Sequence, residues 1–473
     1  MAAATGRKTE PTPELQAGSA LPPWLPSFAV AALGGALFGY DIGGSSAVLR
    51  VLGQGVSELG NLDALQLGYL ASGSLFGAMA ASTIIFAVGD KKIGRKTELQ
   101  TAAGLYAIGT LIQSLGPTLP AVLLGRCVYG LGIGTAMHVA PLYIAEVVPT
   151  ELRGKLVSLK EAAIVFGIVL GYLAGDVFAA SGDWRTVFGL AGVLILPMAA
   201  LSLAVPESPR WLALRGRTDE AQLALSQAQG ASPQEAQQQV SAMAAMSTGT
   251  ASSSPLATAG EIFSSPKNRK ALTIGVGLVL FQQLSGQPSV LYYANRIFET
   301  AGLGFEAAVG VGVFKLLMTL VSVQLVEDER FGRRPLLIYG TTGMTVALAA
   351  LALLFATAGP AGPSSALVIA CVVAFVGCYQ VGFGPVTWLI LSEVFPLQIR
   401  SAAVSIGTLA NFGSNVLVTL LFEYERTTFG EALLFGQFAL IALAGVFFQQ
   451  ALVPETRGLT LEEIEAQIGG EDA

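Results

Sequence analysis

Long apolar stretches recur along the whole chain, and short polar segments separate them. A helix needs about 20 apolar residues to cross the hydrocarbon core of a bilayer. Twelve stretches reach that length, and we number them spans 1 to 12. The first six cover residues 26–49, 64–88, 98–116, 119–141, 159–180 and 184–205. The second six cover residues 271–293, 306–327, 335–357, 365–391, 402–422 and 431–452. This pattern predicts an all-α membrane protein with twelve transmembrane helices.

A long polar segment divides the spans into two groups of six. This segment lies between spans 6 and 7, is rich in Gln, Ala and Ser, and includes the run Ser252-Ser253-Ser254. Such a composition is typical of a soluble linker with short surface helices and one disordered part. The predicted parts are a cytosolic N-terminal segment at 1–25, a six-helix bundle at 26–205, a cytosolic linker at 206–270, a second six-helix bundle at 271–453 and a cytosolic tail at 454–473.

The composition supports a bilayer environment. Hydrophobic residues make up 53% of the 473 residues, and charged residues only 12%. Soluble proteins carry roughly 25% charged residues, so this chain cannot cover a water-facing surface of its size. The three cysteines lie in apolar stretches, where they are typical of small buried hydrophobes and not of a disulfide or zinc site. The single histidine, His138, is expected to pack within a helix.

Positive charges are unevenly distributed between the two sides of the predicted membrane. Of the 26 Lys and Arg residues, twenty fall in the N-terminal segment, the loops after even-numbered spans or the C-terminal tail. Those on the other side, which we call the outer side, are Arg50, Arg185, Arg296 and Arg426. Because cytosolic loops carry an excess of Lys and Arg, both termini are predicted to be cytosolic.

The two groups of spans carry matching short motifs. The pairs are Gly94-Arg95-Lys96 with Gly332-Arg333-Arg334, Glu146, Pro149 and Arg153 with Glu393, Pro396 and Arg400, and Pro206-Glu207-Ser208 with Pro454-Glu455-Thr456. These matches indicate one six-helix unit used twice in parallel, with pseudo-two-fold symmetry. Parallel repeats with a solute site between them are a transporter architecture. A duplication without transport would predict no polar residues at mid-membrane.

The ordered set of motifs resembles the sugar porter family of the major facilitator superfamily. The motifs, in chain order, are Gly39-Tyr40-Asp41, Gly94-Arg95-Lys96, Gly125-Arg126, Pro141-Leu142-Tyr143-Ile144-Ala145-Glu146, Arg153-Gly154, Pro206-Glu207-Ser208-Pro209-Arg210-Trp211, Phe281-Gln282-Gln283-Leu284-Ser285-Gly286, Gly332-Arg333-Arg334, Gly384-Pro385 with Trp388, Asn411 with Asn415, and Pro454-Glu455-Thr456-Arg457-Gly458. The run from Gln287 to Tyr293 is most similar to the plant and algal branch called xylose–proton symporter-like.

This resemblance implies a fold, a function and a location. The fold is the major facilitator fold, and the function is alternating-access transport of a hexose or pentose, with a proton as the coupling ion and no other cofactor. The expected partners are the sugar and the lipid bilayer, without nucleic acid, and the expected working unit is a monomer with no enzymatic activity. The expected location is the plastid envelope, the vacuolar membrane or the plasma membrane.

Amide side chains gather in spans 7, 10 and 11. Sugar hydroxyls need side chains that both donate and accept hydrogen bonds, beside an aromatic face. Unpaired amides are costly in lipid, so they should face the interior of the bundle, although any single one could instead join two helices. The predicted substrate site comprises Gln282, Gln283, Gln287, Gln380, Trp388, Asn411 and Asn415, with Phe38 and Tyr293. The resemblance implies that Gln282, Gln283, Trp388 and Asn415 bind the sugar directly.

Two charged residues stand where the family usually has neutral amides. They are Glu161 in span 5 and Lys315 in span 8. A lone charge at mid-membrane costs from about 2.5 kcal/mol upward, so we hypothesise that the two pair across the cavity and shape substrate choice. The alternative is that Lys315 extends toward the interface and Glu161 lies at a helix end beside Lys160.

Asp41 in span 1 and Arg126 in span 4 are the candidate proton-coupling residues. A carboxylate at this depth is expensive unless it is paired or protonated. The resemblance implies that Asp41 is the proton site and Arg126 its partner. A permanent ion pair in a facilitative uniporter is the alternative. A sugar sensor that does not transport is disfavoured because the tail after Thr456 is short.

Charged residues at the cytosolic ends of the spans resemble the family's gating network. Its members here are Arg95, Glu146, Arg153, Glu207, Arg333, Glu393, Arg400 and Glu455. Paired Arg and carboxylate groups suit a latch, since two parallel hydrogen bonds are strong yet breakable in a wet site. The resemblance implies that this network locks the two halves together while the sugar site faces outward.

Overall fold

A computed structural model describes most of the chain. The described residues are 21–55, 58–88, 93–247, 260, 262–263, 265–327, 330–358, 362–395, 399–459, 463–464 and 467–468. Across these residues the secondary structure is helical, with no strand. The Ser252-Ser253-Ser254 run of the predicted linker lies outside the described residues.

The first six spans form five continuous helices and one divided helix. They are Leu25–Gly53, Ala64–Val88, Arg95–Leu115, Leu119–Val147, Thr150–Phe178 and, for span 6, Trp184–Gly189 with Gly192–Ala204. Span 5 begins nine residues before its predicted start at 159, because its first turns carry charged residues that the apolar pattern leaves out.

The second six spans are more often interrupted. Span 7 is Pro266–Leu284, Gln287–Tyr292 and Ala294–Thr300, span 8 is Glu306–Glu327, span 9 is Arg333–Ala356, span 10 is Ser365–Val381 with Phe383–Glu393, and spans 11 and 12 lie within Arg400–Leu452. The last run is divided at Gly430, whose φ is 80°. Glycine adopts this left-handed conformation without a steric penalty, so the chain turns there between spans 11 and 12.

Nine helices of the described residues are long and apolar enough to cross a membrane. The last of these, from Ala402 to Leu452, contains both span 11 and span 12. Span 3 and span 7 are not among the nine, since span 3 opens on charged and polar residues and span 7 is broken after Leu284. The twelve predicted spans are therefore all helical, and the all-α fold is as predicted.

Spans 1 and 5 approach closely through glycines. Gly39 and Gly43 lie one turn apart and face the backbone of Ile164 and Ile168, so that any Cβ at either position would strike a carbonyl oxygen. Span 5 presents Gly167 in return, against the backbone of span 1. Small residues four apart allow two membrane helices to bring their backbones together. This contact positions Asp41, two residues after Gly39, in the interior of the first bundle.

The two bundles meet along two helix pairs and at their outer ends. Span 2 packs against span 11, and span 5 packs against span 8. Span 1 also contacts the short helices of span 7 that follow the break. The linker holds three helices, Pro209–Leu214, Thr218–Gln229 and Pro233–Ser247, which bury a small apolar cluster of their own.

Candidate substrate and proton sites

Asp41 and Arg126 form a buried ion pair within the first bundle. Arg126 Nη1 lies 2.9 Å from Asp41 Oδ1, and Nη2 lies 3.3 Å from Oδ2. Arg126 is fully buried, and Asp41 is 3% exposed. The two parallel hydrogen bonds give the pair the bidentate geometry in which Arg binds carboxylates most strongly. The structure thus brings together the two predicted proton-coupling residues.

Two hydroxyl groups also reach the same carboxylate. Ser74 Oγ in span 2 lies 2.6 Å from Asp41 Oδ2, and the Tyr292 hydroxyl in span 7 lies 3.3 Å from it. Arg126 Nη2 donates in addition to the Ala71 carbonyl oxygen at 3.2 Å. A buried ion pair repays its desolvation only when further hydrogen bonds satisfy the charges. These contacts supply several of them, while Arg126 Nε has no partner among the described residues. The Asp41 carboxylate is thus hydrogen-bonded by side chains from both halves.

Gln282 and Gln283 each keep one free acceptor in the interior of the second bundle. The Gln282 side-chain nitrogen donates to the Phe383 carbonyl oxygen at 2.6 Å, and that of Gln283 donates to Asn411 Oδ1. Within the part of the chain that the structure describes, the Oε1 atoms of both glutamines are buried and without a hydrogen-bond partner. Buried acceptors without a partner are costly unless a ligand satisfies them, so the two oxygens suit sugar hydroxyls.

Other predicted polar residues lie on neighbouring turns. Asn415 Oδ1 accepts a hydrogen bond from Thr419 Oγ1 at 3.1 Å, and Gln287 is buried just after the break in span 7. Tyr293 is fully buried, donates to the Thr419 carbonyl oxygen at 3.3 Å and stacks on Phe422. Tyr293 therefore braces span 7 against span 11.

Aromatic side chains come from both bundles. Phe38 of span 1 and Phe412 of span 11 make an edge-to-face contact, with ring centroids 6.5 Å apart. Trp388 is half-buried in the second half of span 10. Aromatic faces of this kind pack against the apolar C–H face of a sugar ring. The Phe38–Phe412 contact joins the two halves, and Phe412 directly follows Asn411 in span 11.

Lys315 and Glu161 have different partners in this structure. Lys315 is buried, and its Nζ donates to Gln380 Oε1 at 2.6 Å and lies 4.9 Å from the centroid of the Tyr379 ring. Gln380 in turn donates to Thr319 Oγ1 at 2.8 Å. Glu161 is half-exposed, and its Oε1 lies 3.0 Å from Lys160 Nζ. This contact of Glu161 with Lys160 is the one that the alternative hypothesis predicts, in place of a pair with Lys315 across the cavity.

The cytosolic charges repeat the same geometry in both halves. Arg95 Nε lies 3.3 Å from Glu146 Oε2, and Arg333 pairs with Glu393 at the matching place. Glu207 accepts a hydrogen bond from the backbone N–H of Lys96, and Glu455 from those of Arg333 and Arg334. The glutamates thus cap the N-termini of spans 3 and 9, where helices leave backbone donors unsatisfied. These bonds stay within each half.

Of the two remaining members of the predicted gating network, Arg400 also bonds within its own half. Arg400 donates from Nε to the Phe395 carbonyl oxygen at 3.2 Å. Arg153 is half-buried, and its Nε has no hydrogen-bond partner among the described residues. In span 4, His138 Nδ1 lies 3.2 Å from Glu98 Oε2, so the single histidine contacts a carboxylate as well as packing within the helix.

The outer ends of the two halves are joined by polar contacts. Gln54 of the first half donates to Glu299 Oε1 at 2.7 Å, and Arg50 Nε lies 3.8 Å from the same oxygen. Asn295 donates from its backbone to Ser46 Oγ at 3.0 Å. Further in, the Tyr172 hydroxyl donates to the Leu291 carbonyl oxygen at 2.8 Å. The outer entrance between the halves is therefore closed.

The sequence reasoning missed the residues that make this closure. Arg50 stood out as one of few positive charges on the outer side, and a search for acidic partners on the same side would have suggested Glu299. Tyr292 gave no signal of its own, because it lies beside the predicted Tyr293 in an apolar run. Only the break in span 7, which rotates the following helix, decides which tyrosine faces Asp41.

These features define a class of protein. Two six-helix halves, a buried carboxylate–guanidinium pair and unpartnered amide oxygens in the interior are those of a secondary transporter for a polar solute. The sequence profile of a family described as sugar (and other) transporter matches residues 28–467. The chain belongs to this family, as its motifs predict, and it is a multi-pass integral membrane protein.

Similar proteins agree with this assignment. D-xylose-proton symporter-like 3, chloroplastic, of Arabidopsis thaliana is 45% identical over 464 residues, which cover 93% of this chain and 82% of that protein. The glucose transporter GlcP of Staphylococcus epidermidis is 32% identical, covering 93% of this chain and 96% of that protein. A partially occluded inward open structure of the xylose transporter XylE from E. coli has a TM-score of 0.78 at 28% identity, covering 92% of this chain and 99% of that one. The predicted major facilitator fold is confirmed.

Proposed function

We propose that the protein carries a monosaccharide, a hexose or pentose, across its membrane together with a proton. The observation that supports this most directly is the buried Asp41–Arg126 pair, which places a titratable group in the bundle interior. The unpartnered oxygens of Gln282 and Gln283 supply acceptors for the sugar in the other half. A carboxylate that can be ionised or neutral inside the membrane is the usual basis of proton coupling.

The sugar site combines amides with aromatic faces. Gln282 and Gln283 accept hydroxyl hydrogens, while Asn411 and Asn415 lie one turn apart on span 11 and offer further hydrogen-bonding groups. Trp388 and Phe38 would cover the apolar faces of the ring. Each hydroxyl then exchanges hydrogen bonds with water for hydrogen bonds with the protein, which keeps binding reversible.

Alternating access exposes this site first to one side and then to the other. The closed outer entrance and the cytosolic ion pairs held within each half are the features of a state that faces the cytosol. In the opposite state, Arg153 and Arg400 together with Glu146 and Glu393 would join the halves as the latch. Breaking within-half bonds and forming cross-half bonds of the same kind costs little, so the two states can exchange.

Reconstitution into liposomes tests the proposal. With an inward proton gradient, a panel of D-xylose, D-glucose, D-galactose and a linear polyol should show uphill accumulation of at least one cyclic sugar. Collapse of the gradient with a protonophore should reduce accumulation to equilibration. Equilibration that ignores the gradient would instead indicate a facilitative uniporter. Tight binding of sugar without any flux would indicate a sensor.

Glu161 and Lys315 are proposed to pair when the cytosolic ends close, and to tune substrate choice. The variants Glu161→Lys and Lys315→Glu should each lose most transport, because each leaves two like charges near the cavity. The double variant should recover a substantial part, measured as initial uptake in liposomes. Glu58→Gln, which breaks a surface pair with Arg185 inside one half, is the matched control and should transport normally. No recovery in the double variant refutes the pairing.

We also propose that one chain is the working unit and that the proton is the only coupling species. Each half supplies part of the site, and both halves lie in the same chain, so no second copy is needed to complete it. The site residues are amides, aromatic rings and one ion pair, which bind and release a solute without forming covalent bonds.

A fluorescent fusion observed in cells will distinguish the plastid envelope, the vacuolar membrane and the plasma membrane.

A further inference from the structure

The carboxylate of the proton site accepts a hydrogen bond from the opposite half of the protein. The Tyr292 hydroxyl lies 3.3 Å from Asp41 Oδ2, and Tyr292 belongs to the second bundle. Arg126 and Ser74, which donate to the same carboxylate, belong to the first bundle, as Asp41 does. Tyr292 therefore links the proton site directly to the half that carries the amide cluster.

Two other buried tyrosines near this carboxylate have different acceptors. The Tyr106 hydroxyl donates to the Gly34 carbonyl oxygen at 3.0 Å, and the Tyr129 hydroxyl donates to the Leu37 carbonyl oxygen at 2.8 Å. Both bonds end on the backbone of span 1 inside the first half. The hydroxyl groups of these two tyrosines thus donate to backbone carbonyl oxygens within the first half. The hydroxyl of Tyr292, which is fully buried, donates to the Asp41 carboxylate.

Tyr292 is also tied to the proposed sugar site by a short rigid segment. Span 7 breaks at Gly286, whose φ is 87°, and the helix Gln287–Tyr292 follows it. Gln283 stands before the break and Gln287 directly after it. Five residues of helix rise by about 8 Å, so a sugar that moves Gln287 also moves the Tyr292 hydroxyl.

We propose that Tyr292 is a positioning residue that joins proton binding at Asp41 to opening of the outer entrance. While Asp41 is ionised, its oxygen accepts the Tyr292 hydroxyl and holds the outer part of span 7 against span 1. When the carboxylate binds a proton, one O–H bond forms, the negative charge disappears and this hold weakens. Span 7 is then released, and the sugar site opens to the outer side. The inference rests on the proposed proton symport.

Three variants separate this role from simpler ones. Tyr292→Phe removes the hydroxyl that joins Asp41 to the other half. Tyr172→Phe removes a bond that also crosses between the halves, to the carbonyl of the neighbouring Leu291, but does not touch Asp41. Ser74→Ala removes a donor from the same carboxylate oxygen and keeps the Tyr292 hydroxyl that bonds Asp41 from the other half. All three are compared with the wild type in liposomes, with D-xylose and D-glucose as probes.

Tyr292→Phe is expected to change two measurements together. Accumulation in a proton gradient should fall at least about tenfold, the lower end of the value of one hydrogen bond to a charged group, while exchange of labelled sugar at equal pH persists. The midpoint of the pH profile of uptake should move to higher pH, because the carboxylate loses a donor that favours its ionised form. Ser74→Ala should move the midpoint and keep accumulation. Tyr172→Phe should leave the midpoint unchanged, because its hydroxyl bonds the Leu291 carbonyl oxygen and not Asp41.

The results that overturn the inference are distinct from those that overturn proton symport. If Tyr292→Phe matches the wild type in both measurements, or if Ser74→Ala loses accumulation to the same degree, the cross-half role is wrong. If Asp41→Asn still accumulates sugar in a proton gradient, proton coupling through Asp41 fails. Thermal unfolding of each purified variant, with a midpoint close to that of the wild type, shows that the measured change is not a loss of fold.

Discussion

Replacement of Asp41 by Asn is expected to abolish uphill accumulation of sugar and to spare exchange. Asn keeps the size of the side chain and an oxygen acceptor for Arg126, but it has no charge and cannot bind the transported proton. The halves can then reorient with sugar bound, while a proton gradient no longer drives the cycle in one direction. The measurement is labelled sugar in liposomes, with an imposed proton gradient for accumulation and with equal pH on both sides for counterflow.

The variant carries a stability cost that the experiment has to separate from loss of coupling. Removal of one partner of a buried ion pair leaves the other charge uncompensated and costs about 3–5 kcal/mol. The Ala71 carbonyl oxygen and the Phe188 ring, 5.4 Å from the guanidinium carbon, still stabilise Arg126 in the variant. Asp63→Asn is the matched control, because Asp63 accepts from the Gln66 backbone at the start of span 2 and Asn fills that role equally well. The control should accumulate sugar normally, and accumulation by Asp41→Asn would refute the coupling role.

The fold was predictable because a bilayer constrains sequence strongly. A membrane helix must satisfy all its backbone groups internally, so each crossing requires a long apolar stretch. The duplicated Gly-Arg motifs at Arg95 and Arg333 then indicated the repeat, and both arginines pair with the glutamate at the matching position of their own half. Charge asymmetry assigned the cytosolic side, because cytosolic loops carry an excess of Lys and Arg.

Details that depend on local backbone were less predictable. The apolar pattern predicts one helix for each of spans 6, 7 and 10, but the structure divides all three. In span 7 the break lies at Ser285 and Gly286, and it determines that Tyr292 faces Asp41 while Tyr293 faces Thr419. If the helix after the break were rotated by one residue, Tyr293 would face Asp41 in place of Tyr292. The apolar periodicity does not predict this rotation, because Gly286 adopts a positive φ and interrupts the helix.

The amide cluster was likewise predictable from the sequence only in part. The residue types alone predicted hydrogen bonding to a sugar, because buried amides need partners. Which atom of each amide is free depends on tertiary contacts that the sequence does not display. Gln282 and Gln283 both use their nitrogens on protein acceptors and leave their oxygens free, whereas Gln380 uses its oxygen for Lys315 and its nitrogen for Thr319. Gln380 is thus satisfied by the protein in this state.

Because Gln283 keeps an unpartnered oxygen, Gln283→Ala is expected to have the second large effect, a loss of sugar binding. The variant removes a buried acceptor for a sugar hydroxyl and also leaves Asn411 Oδ1 without its donor. An unmade hydrogen bond in a buried site costs about 1–3 kcal/mol, which corresponds to about 5- to 150-fold weaker sugar binding. The measurement is the sugar concentration that half-saturates counterflow, together with the dissociation constant of the purified protein from calorimetry.

Gln449→Ala is the matched control for this experiment. Gln449 is fully buried in span 12, donates from its nitrogen to Thr341 Oγ1 at 2.9 Å and, like Gln283, has an unpartnered Oε1 within the described residues. Its removal should lower the unfolding temperature and leave the half-saturating sugar concentration unchanged, because Gln449 joins spans 9 and 12 away from the amide cluster. Equal effects of the two variants on sugar affinity would mean that Gln283 acts through bundle packing. A selective effect of Gln283→Ala would place the sugar at the break in span 7, beside the segment that carries Tyr292.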